Sequence, residues 1–175
     1  MRRNRIPSLF KVGLFGLFAT LTTGVMVIAG GHDFWGKTSL AEASLPNGRA
    51  IFKTGKFENG VRVPIQGGPH WIHSEGGGCE TCHGSKGLGG IEPEFCFIAT
   101  PPISYRYLVG DGYHFTQRQD GTHPAYTLKT LKIALQSGIN SRDDEMDYCM
   151  PRWRLDDKAL RDLAGYLTHL DTVRK

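Results

Sequence analysis

The chain has 175 residues, enough for one modest domain plus an extra segment, and nothing in it repeats at a fixed period. Arg2, Arg3, Arg5 and Lys11 account for the formal charge of +4, leaving 17 basic against 17 acidic residues in the remainder. A neutral domain has no basic face for nucleic acid, so that class is excluded, and 39% hydrophobic residues with 23 glycines predict a loop-rich fold with a small core.

Residues Val12 to Gly30 run for 19 positions without a charge, about the length a helix needs to cross a bilayer core of roughly 30 Å. Basic residues lie only before this run, which places the N-terminus in the cytoplasm and the rest of the chain outside. The expectation is a single-pass anchor in the cytoplasmic membrane over residues 1–31, with the domain facing the periplasm or cell exterior. A cleaved signal peptide ending near Val27 and Ala29 is the alternative.

Residues 32–43 are small and polar and read as a linker. The domain is expected over 44–175. Pro46 suits the first turn of a short helix carrying Ile51 and Phe52, with Gly55 to end it. The segment VRVPI is at most a short strand, and Gly-rich and Pro-rich loops follow to about His123. A second helix is predicted from Pro124 to Gln136, with Tyr126, Leu128, Leu131, Ala134 and Leu135 apolar and Gly138 as its stop. The last helix is the clearest: Asp156 caps it, Leu155 and Leu160 have the spacing of a hydrophobic staple, and Leu160, Leu163, Ala164, Leu167 and Leu170 form one stripe. Three helices joined by long loops predict a small all-α domain.

Cys79-Glu80-Thr81-Cys82-His83 is the haem-attachment arrangement Cys-x-x-Cys-His. Two thiols about one turn apart can each bond a vinyl group, and the adjoining imidazole then lies beneath the iron. A redox-active thiol pair, half of a zinc site or an ordinary disulfide are the competing readings. A redox pair expects a βαβ setting that is absent, and zinc needs a second ligand pair at matching spacing. The cofactor expected is therefore one covalently bound haem c, with His83 as proximal iron ligand. For the distal ligand the candidates are Met146, Met150, His114 and His123, and Met150 is favoured because Pro151 stiffens the backbone behind it just before the last helix.

With these residues in view, the chain resembles class I cytochrome c from about Leu45 to the C-terminus, through NGRAIFKTG, CETCHG, MPRW and LAGYLTHL. LQSGIN through MPRW also resembles a membrane-associated bacterial branch of that family. The resemblance implies the class I fold, a crossing of Gly48 and Phe52 with the last helix near Tyr166, axial ligation by His83 and Met150, and a proline carbonyl, of Pro101 or Pro102, accepting from His83. It implies an electron carrier rather than an enzyme, working between a redox donor and acceptor and extending to a subunit of a membrane respiratory complex. The rivals are a haem enzyme or gas sensor with an open sixth position, and a thiol or zinc module.

Cys96 and Cys149 depart from the simplest family pattern: in an oxidising compartment they pair, and otherwise they are two buried thiols. Trp153, Arg152 and Tyr105 are candidates to reach haem propionates, and Trp71, Phe95, Phe97 and Ile103 to wall the ring. His70, His73, His114, His123 and His169 have surface or loop contexts and no catalytic role.

Overall fold

The structure is a computed structural model that describes residues 35–36, 40–110 and 123–172. These belong to one compact unit, His32–Lys175. Its elements in chain order are α1 (Leu45–Thr54), β1 (Ile65–Gln66), α2 (His70–Ser74), α3 (Cys79–His83), α4 (Tyr105–Val109), α5 (Leu128–Ser137), β2 (Arg152–Trp153) and α6 (Asp157–Thr172).

Helix α1 begins and ends on the expected signals, and α6 begins on its expected cap. Ser44 caps α1 by accepting from Asn47 N at 3.3 Å, Pro46 sits in its first turn, and Gly55 closes it at φ 64°. Asp156 accepts from Ala159 N at 2.7 Å at the start of α6. The helix expected from Pro124 begins only at Leu128, because Tyr126 N donates to Leu108 O at 2.8 Å and holds that stretch extended. Thr127 then caps α5 through Thr130 N at 3.1 Å.

The core centres on α6 crossing α1. Gly48 is needed at that crossing, since a Cβ there would run into the backbone carbonyl of Asp162. Phe52 and Tyr166 face each other with ring centroids 5.4 Å apart. Asp162 is fully buried beside them and accepts from Ser44 N at 2.7 Å, Asn47 Nδ2 at 2.8 Å and Lys158 Nζ at 2.8 Å. Burial alone would push its carboxyl up, but these three donors outweigh it and hold the group below the ordinary carboxylate value.

The described residues hold six helices and a two-stranded antiparallel sheet pairing Ile65 with Trp153, instead of the all-α class I cytochrome c fold with about three helices. Helices α2, α3 and α4 have five residues each, too short to show a periodicity in sequence. Trp35, inside the expected linker, is buried, donates to Tyr126 O at 2.8 Å and packs edge-on against Tyr105 at 4.8 Å.

The expected span Val12 to Gly30 lies outside the described residues, and among the described residues no helix is long and apolar enough to cross a membrane. The longest, α6, has 16 residues and therefore about 24 Å of rise, with Lys158 on its exposed side. The expected transmembrane helix, and the single-pass placement in the cytoplasmic membrane built on it, are withdrawn on that finding.

Candidate functional site

Helix α3 is a single turn carrying the whole CETCH motif. Gly78 precedes it, and a Cβ there would strike the Phe52 carbonyl, so a glycine lets the turn sit against the end of α1. Gly78 N donates to Thr81 Oγ1 at 3.3 Å, and Gly84 N closes the turn on Glu80 O at 2.8 Å. With Cys79 and Cys82 three residues apart, both thiols fall on one side of the turn.

The loop after α3 holds His83 in a fixed orientation. Its Nδ1 donates to the carbonyl of Pro101 at 2.7 Å, which decides between the two prolines. Thr100 Oγ1 donates to Cys82 O at 2.7 Å, and Gly89 N donates to His83 O at 2.9 Å, so the loop folds back onto the turn that starts it. His83 is buried, and that burial, opposed by the Pro101 bond, lowers its pKa from the ordinary histidine value. The imidazole is thus neutral at pH 7, with its proton on Nδ1 and its lone pair on Nε2.

Burial pushes the Cys79 thiol up to about 12 and raises that of Cys82. Redox-active thiol pairs need a lowered pKa, so this environment does not suit that chemistry. Nor is a second ligand pair available for zinc: Cys96 and Cys149 form a disulfide with a Cα separation of 5.8 Å. Among the described residues no group of three or more His, Cys, Asp or Glu could hold a bare metal ion.

Cys79, Cys82, His83 and Met150 all line one cavity, with about 1220 Å³ of atom-free space counting its mouth. Comparison with protein-family models, curated proteins and solved structures found no match to this chain. The functional reading therefore stands on the cavity itself.

Of the distal candidates, Met146 and His123 also line the cavity, while His114 lies outside the described residues. His123 is a loop residue and is buried, with its Nδ1 2.8 Å from Pro124 O. The two methionines are braced together: the Arg152 guanidinium donates to the carbonyl of Met150 and, at 3.1 Å, to that of Met146. Gly138 leaves the space for it, because a Cβ there would meet the guanidinium. Arg152 is therefore engaged with the methionine segment rather than held ready for a propionate.

The walls differ from expectation. Phe97 is 91% exposed and Phe95 64% exposed, so neither encloses the cavity. Ile72, Ile98, Leu108 and Tyr126 do. No spacing in the sequence marks these four, which come together only through tertiary contacts. Asn140 and Arg142 add a polar edge, and Asn140 Oδ1 accepts from Arg142 N at 2.8 Å and Asp144 N at 3.0 Å in a tight turn.

Proposed function

We propose that this chain is a monohaem c-type cytochrome that carries single electrons between redox partners. The observation that carries the reading is the meeting of two unbonded thiols, a neutral histidine oriented by Pro101 and two thioethers on one largely apolar cavity. Those residues fit a covalently held haem. Each Cys S–H adds across one vinyl C=C, sulfur to one carbon and hydrogen to the other, so the step balances without an oxidant.

Haem supplies the redox chemistry, an iron that takes and returns one electron. The chain's residues do the rest. Cys79 and Cys82 tether the group, and His83 presents Nε2 while the Pro101 carbonyl keeps its ring from turning. Met150 offers a soft thioether from the segment braced by Arg152, and Ile72, Ile98 and Leu108 exclude water. With His83 and Met150 both engaged in holding the group, no protein position would remain open for a small substrate, and the chain would act as a carrier rather than an enzyme.

The test is the mass of the protein, matured with a haem-attachment system, after acid-acetone extraction. The expected mass is that of the polypeptide plus one haem, lost in Cys79→Ala/Cys82→Ala. Haem that extracts freely from the unsubstituted chain would overturn the reading.

A further inference from the structure

The residues flanking Cys96 are the least expected in the molecule. Phe95 and Phe97 adopt φ of 65° and 52°, the left-handed region that bulky side chains rarely enter. Such backbone persists only where the surrounding structure over-determines it, and here the outcome is two aromatic rings turned into solvent. Neither the fold nor the cavity uses them. Tyr148, 63% exposed, joins them by donating to Phe95 O at 2.8 Å.

The patch is pinned by the Cys96–Cys149 disulfide, so the two segments that form it move as one. Cys96, Ile98, Asp147 and Cys149 of those same segments line the cavity, which makes the aromatic patch the outer surface of the cavity wall. The same two segments, 91–98 and 142–149, carry Glu92, Glu94, Asp143, Asp144, Glu145 and Asp147, all exposed. Arg142 is the one basic residue in residues 91–98 and 142–149, and its Nε is paired with Asp144 at 3.0 Å.

We propose that Phe95, Phe97 and Tyr148, with the acidic rim around them, are the docking surface for a basic redox protein. The proposal rests on the electron-carrier reading above. Three aromatic rings at these exposures present on the order of 400 Å² of surface, in the range of a functional patch on a monomer. That suits one side of the small interfaces of transient redox encounters and is far short of an obligate dimer. A second copy is disfavoured again by charge, because a two-fold contact would bring the acidic rim against itself. A partner carrying lysine or arginine around an apolar centre meets both features.

The experiment uses the full haem-loaded chain, oxidised and mixed in stopped flow with a reduced, lysine-rich soluble cytochrome c as surrogate partner. A neutral hydroquinone serves as the small reductant that needs no docking. The expected second-order rate with the basic probe falls steeply with added salt. It drops about tenfold in Phe95→Asn/Phe97→Asn, since asparagine tolerates the same backbone while removing the rings. Glu92→Gln/Glu94→Gln should flatten the salt dependence, with the hydroquinone rate unchanged in both variants.

A basic-probe rate indifferent to salt and to both variants, with hydroquinone reduction intact, overturns the docking surface and leaves the carrier reading standing. Self-association that the phenylalanine variant abolishes would also overturn it, by making the patch a contact between copies. A chain that hydroquinone cannot reduce sinks both readings, and that measurement is made before any partner is added.

Discussion

Two methionines four residues apart line the same cavity, and only their surroundings separate them. Met150 N donates to Asp147 O at 3.1 Å, and Pro151 follows directly, so its backbone is constrained on both sides. Met146 is tied to Gly138 O at 2.7 Å, beside the end of α5. In haem-loaded protein Met150→Ala should abolish the absorption band of thioether bound to ferric iron, whereas Met146→Ala should leave it. The reverse pattern would move the ligand to Met146. At this scale the CETCH thiols and histidine are plain in the sequence, since adjacency alone sets their geometry. The walls are not: Ile72 and Leu108 look like any core residue until the chain is folded.

Helices α1 and α6 are joined by more than apolar contact, because the buried Asp162 carboxylate gathers three donors at their crossing. Removing its charge in Asp162→Asn should cost about 1.5–3 kcal/mol, as loss of hydrogen bonds to a charged group does. The folded pKa is depressed below the ordinary 3.8, so this stabilisation is fully present above that value and is lost as pH falls through it toward the folded pKa. Urea unfolding of wild type and variant should therefore differ at pH 7 and converge below about pH 4. A difference independent of pH would assign the effect to packing. Both partners of this crossing are legible as amphipathic helices with caps, and so is α5 apart from its start. The five-residue turns α2, α3 and α4 leave no such trace, and the pairing of β1 with β2 depends on contacts almost ninety residues apart in the chain.

Across the whole molecule, the disulfide closes a long loop, with a sequence separation of 53 between Cys96 and Cys149. Chain-entropy reasoning gives about 4 kcal/mol for a loop of that order. Cys96→Ser/Cys149→Ser should lower the urea midpoint and raise the slope, because the unfolded chain freed of its cross-link exposes more surface. An unchanged midpoint would show that the loop is held by its other contacts. An even cysteine count makes this pairing thinkable, yet two buried thiols fit the sequence equally well, and the choice is made by where the loops lie. Net charge hides a further feature. The domain balances 17 basic against 17 acidic residues, while the two segments brought together by the disulfide are strongly acidic.

The Arg152 guanidinium, gripping the carbonyls of Met146 and Met150 from within β2, has a bearing on speed. An electron moves readily only when donor and acceptor need little rearrangement between oxidation states, and a thioether on a loose loop would shift whenever the iron changed its preference. Here the methionine backbone is fastened to a residue whose strand is itself paired with β1 and followed by α6. On the electron-carrier reading, that frame would keep the Met150 thioether in place while the charge changes, and so keep the reorganisation energy low.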